Sequence, residues 1–164
     1  MTRRRLTHVD TRGAATMVDV GAKAATRRRA VARGEVTLGA TAFRALRENR
    51  LEKGDAIAVA RLAGIQAGKR TPEWIPLCHT VPLDHLDVAI ELRSRGRRAV
   101  ITATAEARWA TGVEMEALVA VSAAALALYD MVKGIDRGAA IETIVLIEKS
   151  GGRSGAWRRA GSRR

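Results

Sequence analysis

The chain has 164 residues, enough for one ordinary core and cramped for two, because a chain of this size hides about two-thirds of its unfolded surface in a single fold. With 47% hydrophobic residues and 3% aromatics, Ala, Val, Ile and Leu must fill that core; one cysteine, Cys78, excludes an intramolecular disulfide and a cysteine cluster for zinc or iron–sulfur binding. The net charge of +12 invites a nucleic-acid role, yet Arg3, Arg4, Arg5, Arg158, Arg159, Arg163 and Arg164 supply seven of those charges, leaving +5 for residues 6–155, and five aromatics offer few stacking platforms.

Residues 1–33 are basic and rich in Thr and small residues, with Gly13 and Gly21 interrupting any helical pattern. They read as a basic tail over 1–5 and a mobile arm over 6–33, with no apolar secretory core behind the basic start, so a cytoplasmic setting is expected. Gly34-Glu35-Val36-Thr37-Leu38-Gly39 reads as a short strand between glycines. Thr41 then begins an amphipathic helix with Phe43 and Leu46 on one face and Arg44, Arg47 and Glu48 on the other. Asp55 is placed to cap a second helix carrying Ile57, Val59, Leu62 and Ile65, which ends near Gly68-Lys69-Arg70 before Pro72. The loop Trp74-Ile75-Pro76-Leu77-Cys78-His79 follows.

From Leu86 the apolar residues alternate through Val88, Ile90 and Leu92, the mark of a half-buried strand. Ser94-Arg95-Gly96-Arg97 turns the chain into a second strand with Ile101, Ala103, Ala105 and Ala107 on one face, predicting an antiparallel hairpin. A long helix is predicted over 114–133, and its apolar run, 117–129, falls short of the roughly 20 residues that cross a bilayer. A buried core helix is expected instead of a membrane span. A short interior strand over 141–148 runs into Lys149-Ser150-Gly151-Gly152-Arg153-Ser154-Gly155, and 156–164 form a basic tail. The order helix, hairpin, helix, strand favours a single antiparallel α+β domain over 6–155 rather than an alternating parallel sheet.

Asp130 and Lys133 stand three apart on one helix face, where partial burial would make them either a general base and acid or a local ion pair. Glu114 and Glu116 begin the same helix, where acidic residues also simply suit the dipole. Glu116 and Asp130 lie fourteen residues apart, hence about 21 Å along the axis, too far for one compact pocket. If both ends act, a symmetric oligomer can bring the start of one helix beside the end of another. His79 can donate to phosphate or exchange a proton, or be ordinary structure; Cys78 reads as quiet packing. Lys69 sits where a cation offsets a helix C-terminus, and Lys149 opens a glycine-rich loop suited either to oxyanions or to mere flexibility. Lys53 and Arg28 are further cations whose meaning depends on whether the fold gathers them. No zinc-spaced constellation is present, so no metal site is expected.

These residues fall in motifs that resemble the cyclic pyranopterin monophosphate synthase family of molybdenum cofactor biosynthesis. The matching runs are Leu6-Thr7-His8-Val9-Asp10, Met17-Val18-Asp19-Val20, Lys53-Gly54-Asp55, the stretch 60–71, Ile75-Pro76-Leu77-Cys78-His79, the stretch 111–118, Tyr129-Asp130-Met131 with Lys133, and Lys149-Ser150-Gly151-Gly152. The resemblance implies a ferredoxin-like α+β domain and a lyase that converts cyclised dihydroguanosine triphosphate into cyclic pyranopterin monophosphate and pyrophosphate. It implies Asp130 as the acid/base residue with Lys53 and Lys133 beside it, substrate contacts from Leu77, Cys78, His79, Glu114, Met115 and Glu116, and help from Arg28, Lys69 and Lys149. It implies no cofactor, with Mg²⁺ at most accompanying the triphosphate, no specific nucleic acid, and a hexamer built as a trimer of dimers with interfacial sites. Thr80 stands where the family usually has Pro, and Arg153 where it usually has Lys.

Overall fold

Ala30, Ala32, Gly34 and Val36 alternate along one side of β1 (Thr26–Thr37), and their burial makes this the central strand of the sheet in the computed structural model, which describes residues 13–161. The sheet runs β2 (His85–Arg93), β3 (Arg98–Trp109), β1, β4 (Ala140–Ser150), β5 (Trp157–Arg158), and every neighbouring pair is antiparallel. Helices α1 (Ala40–Arg47), α2 (Ala56–Lys69) and α3 (Thr71–Trp74) lie between β1 and β2, and α4 (Glu114–Val132) lies between β3 and β4. The order βαββαβ with β1 between β3 and β4 is the ferredoxin-like arrangement, an α+β single domain.

β1 begins eight residues earlier than the sequence reading, which placed an arm over 6–33 and a strand only from Gly34. The run Arg27-Arg28-Arg29 hid the strand, yet a charged strand residue is stable when its cross-strand partner is opposite in sign. Arg29 faces Glu106 across the β1–β3 ladder with Nε 3.3 Å from Oε1, and it also pairs with Glu148 of β4. Arg27 reaches the same Glu106 at 3.0 Å, and Arg98 meets Glu35 at 2.6 Å. Part of the expected basic tail is ordered as well: β5 pairs Arg158 with Glu148 and Trp157 with Lys149, and Arg159 N–H donates to the Ile147 carbonyl at 2.8 Å. The Leu6-Thr7-His8-Val9-Asp10 run and Arg3, Arg4, Arg5, Arg163 and Arg164 lie outside the described residues.

Asp55 caps α2 as its position predicts, its Oδ1 accepting from the Ala58 N–H at 2.9 Å. Small residues then let α2 press against α4. A Cβ added at Gly64 would lie 2.7 Å from the Ala120 carbonyl oxygen, and one at Gly68 would lie 2.6 Å from Leu86 Cδ2. Across the sheet, a Cβ at Gly34 would meet Val121 Cγ1 at 2.6 Å, so the central strand also yields room to α4. The core that results is made of Ala, Val, Ile and Leu, with Phe43 its one aromatic among the buried residues described. α4 runs through its centre with Ala117, Ala120, Val121, Ala124, Ala125, Leu128 and Val132 buried. Its length and apolar composition would also suit a membrane, but 61% of its most apolar stretch is buried against the rest of this chain. At 19 residues it extends about 28 Å, and it delivers different chemistry to each end.

Candidate functional site at the two ends of one helix

At the C-terminal end of α4, Asp130 is gripped by two lysines. Lys133 Nζ lies 2.6 Å from Oδ1, one turn further along the helix. Lys53 Nζ lies 3.0 Å from Oδ2 and also donates to the Asp130 carbonyl at 2.9 Å, reaching there from the turn closed by the Gly54 N–H and the Leu51 carbonyl. Both lysines therefore sit where the helix dipole favours cations. The hydrogen bond from Lys133, then that from Lys53, holds the Asp130 carboxyl below the usual aspartate range, and Asp130 in turn raises the Lys133 ammonium. The sequence reading expected partial burial here, but the three side chains are 47% (Lys53), 54% (Asp130) and 52% (Lys133) exposed. Pairs this wet contribute little to stability; chemically, two cations fixed on one carboxylate can exchange protons and stabilise developing negative charge.

At the N-terminal end, a cavity of about 540 Å³ opens between α4 and the loop after α3. Ile75, Leu77, Val18, Val20 and Met115 give it apolar walls, and Cys78, His79, Glu114 and Lys23 give it polar points. His79 Nε2 lies 2.8 Å from the Val18 carbonyl, and since a carbonyl only accepts, Nε2 carries the proton in this contact. Glu114 Oε1 is bridged by Lys149 Nζ at 2.8 Å, so the glycine-rich loop's first lysine is tied to this cavity.

Glu116 lies beneath the cavity and is 2% exposed. Its Oε2 has no hydrogen-bond partner among the described residues, and Oε1 accepts from Cys78 Sγ at 4.0 Å. Burial pushes its carboxyl up to about 7, against a bond from its own backbone N–H and with help from the Glu114 charge. Glu116 stands in the first turn of α4, where the helix dipole favours an acid, but its burial carries a cost that the dipole alone does not explain. Burial, Glu116 and Glu114 together raise the Cys78 thiol above its ordinary value, outweighing the His79 backbone N–H, so this thiol is not an activated nucleophile.

Arg28 occupies an adjoining cavity of about 720 Å³, its Nε and Nη2 donating to the carbonyls of Trp109 and Ala110 at 3.1 and 3.0 Å. Lys69 is not brought to either place: it lines a separate groove of about 300 Å³ with His85. The structure thus gathers Asp130, Lys53 and Lys133 at one end of α4 and Leu77, Cys78, His79, Glu114, Met115, Glu116, Lys149 and Arg28 at the other. Lys23 and Thr111, which line both cavities, were not among the sequence candidates; Thr111 lay within a quoted motif, whereas nothing local marks Lys23. Among the described residues, no three His, Cys, Asp or Glu side chains gather to hold a metal ion.

A family model described as the MoaC family matches residues 17–152 of this chain. A cyclic pyranopterin monophosphate synthase from Thermomicrobium roseum is 54% identical over 154 residues, which cover 94% of this chain and 93% of that protein. One from Chloroflexus aurantiacus is 51% identical over 154 residues, 94% of each chain. The molybdenum cofactor biosynthesis protein 1 of Bos taurus is 54% identical over 154 residues, which make up 94% of this chain but 24% of that longer protein.

Proposed function

The chain belongs to the MoaC family, and from that membership we propose how its two half-sites carry out the family's reaction. The enzyme is a lyase that converts 3',8-cyclo-7,8-dihydro-GTP into cyclic pyranopterin monophosphate and pyrophosphate, a step of molybdenum cofactor biosynthesis, and its substrate is a small nucleotide-derived molecule.

The observation that carries the residue assignment is the Lys53–Asp130–Lys133 cluster, a carboxylate kept ionised by two ammonium groups. Rebuilding a purine-derived ring system moves several protons, which an ionised carboxylate accepts and an ammonium donates. Forming the cyclic phosphate builds negative charge as pyrophosphate leaves, and two fixed cations stabilise that charge without reorganising. The cavity at the other end of α4 binds the ring: Leu77 and Met115 cover its faces, His79 and Glu114 read its polar edge, and Glu116 supports the wall from beneath through Cys78.

About 21 Å of helix separates Glu116 from Asp130, so one active site takes the start of α4 from one copy and the end of α4 from another. Support for assembly comes from the helix layer, where Trp74 and Leu126 are exposed on a shallow groove with Ala63, Ala67 and Ala123, and Val59 and Leu62 of α2 are exposed as well. A trimer of dimers satisfies both features, one contact completing the sites and another covering this face. Chemistry is assigned to side chains alone, and any Mg²⁺ travels on the triphosphate as part of the substrate. A reducing cytoplasm suits the single free thiol.

The test is turnover by purified protein of the cyclised triphosphate, read as pyranopterin product and pyrophosphate in equal amounts. Absence of turnover overturns the assignment. A nucleic-acid role, suggested by the charge, would instead appear as salt-dependent RNA binding that survives removal of both chain ends.

A further inference from the structure

We infer that the buried hydroxyl of Thr71 is a positioning group for the ring cavity, holding the wall made by Leu77, Cys78 and His79 against the start of α4. This rests on the reading that the cavity binds the ring of the substrate, and it adds to that reading a residue that never meets the substrate.

Among the described residues two polar or charged side chains are buried, Thr71 at 0% and Glu116 at 2% exposure. Glu116 lies beneath the cavity, and Thr71 stands at the corner where α2 ends and α3 begins. The corner explains the hydroxyl. In a continuing helix the Gly68 carbonyl would accept from the N–H of residue 72, but that residue is Pro72, which has none. Thr71 Oγ1 donates to this carbonyl instead, at 2.9 Å. The bond is buried, so a Gly68 carbonyl left without its donor would be costly, and the chain at the corner would move to find another.

From this corner a path of hydrogen bonds runs to the cavity. The Thr71 carbonyl accepts from the Ile75 N–H at 3.0 Å, and the Ile75 carbonyl accepts from the Cys78 N–H at 3.0 Å. α3 has only four residues and cannot hold a direction by itself, so the loop that follows it inherits its course from the corner. Both ends of the path rest on α4. At the first, Gly68 is pressed so closely on the helix that an added Cβ would lie 3.1 Å from the Glu116 carbonyl oxygen. At the second, Cys78 Sγ donates to Glu116 Oε1 at 4.0 Å. The path thus leaves α4 at the Glu116 backbone and returns to it at the Glu116 side chain. The distance between Met115 on the helix and Leu77 to His79 on the loop, which face each other across the cavity, is set through Thr71.

Steady-state turnover of the cyclised triphosphate by the full chain tests this with two variants: Thr71→Val keeps the shape and removes the hydroxyl, whereas Thr71→Ser keeps the hydroxyl. A loosened cavity binds ground state and transition state less well alike. Thr71→Val is therefore expected to raise KM about fivefold to tenfold with kcat within about twofold of the parent, and Thr71→Ser to stay within about twofold in both. A role in stability alone would lower the active fraction, so that kcat fell while KM held; that result overturns the proposal, as does a KM raised equally by Thr71→Ser. Should Thr71→Val not fold, Thr71→Ala removes the hydroxyl without crowding the site and is read in the same way.

A second readout needs no turnover. Cys78 should react with iodoacetamide faster in Thr71→Val than in the parent or Thr71→Ser, at a rate that low urea leaves unchanged, the mark of a local opening. Equal rates in all three proteins overturn the positioning role, and so does an acceleration that climbs steeply with urea and reports global unfolding. If the parent shows no turnover while the labelling follows the expected order, the reaction assignment fails and the positioning of the wall stands.

Discussion

Replacing Glu116 by Gln should stabilise the protein in a strongly pH-dependent way. Glu116 is 2% exposed, has one carboxyl oxygen without a partner among the described residues, and its carboxyl is raised from 4.5 to about 7 on folding. Because its folded value is raised, the fold favours the protonated form: stability from this group is intact below the unfolded value of 4.5 and is lost as pH rises toward about 7. That interval corresponds to roughly 3 kcal/mol, reached in full above about pH 7.5. Gln has nearly the same shape and never ionises, so it avoids the cost of a buried charge at high pH and gains nothing at low pH. Urea unfolding at matched protein concentration should therefore show variant and parent differing by about 3 kcal/mol more at pH 8.5 than at pH 4.5. With a slope of about 2 kcal/mol/M, the gap in midpoints should widen by about 1.5 M. A gap that is the same at both pH values would refute the reasoning. The stabilised variant is expected to lose turnover, since the parent tolerates a costly buried carboxyl beneath the proposed substrate cavity.

The other expectations follow from equally local geometry. Gly64→Ala should lower stability by about 1–3 kcal/mol in thermal or urea unfolding, although alanine favours helices, because its Cβ would press on the Ala120 backbone of α4. Asp130→Asn and Lys133→Ala should abolish turnover yet leave urea unfolding midpoints close to the parent's, since the cluster is half exposed. Full activity in either variant would remove that residue from the mechanism. Cys78 should react slowly with iodoacetamide at pH 8, its thiol being raised by burial and by Glu116 and Glu114, and should react faster in Glu116→Gln, which lacks the larger of those two charges.

Much of the fold could be read from local pattern. The alternation from Leu86 through Leu92, the turn at 94–97 and the alanines of β3 mark the hairpin, and Asp55 marks the start of α2. The start of β1 is hidden because three consecutive arginines look like solvent-facing chain; Glu106 and Glu148 on neighbouring strands pair with Arg27 and Arg29, and the Trp109 and Ala110 carbonyls take Arg28. β5 was hidden in a basic end for a related reason: its stability comes from pairing with β4, a long-range contact that no local periodicity encodes. The two ends of α4 were legible from spacing along one helix. The burial of Glu116 was not, because an acid in the first turn of a helix looks the same whether wet or dry. The cavity at Arg28 was least legible, since Lys23, Arg28 and Arg153 line it together from three separate stretches of chain.

The central claim, that each active site joins opposite ends of α4 from two copies, is tested most directly by mixing two inactive variants. Asp130→Asn loses the chemistry at one end of the helix and His79→Ala the ring contact at the other, and each should be inactive alone. After subunit exchange in equal amounts, half of the pairs are mixed, and each mixed pair has one site with both native residues. Turnover should return to about a quarter of the parent value. Mixtures that exchange subunits but stay inactive would contradict the account.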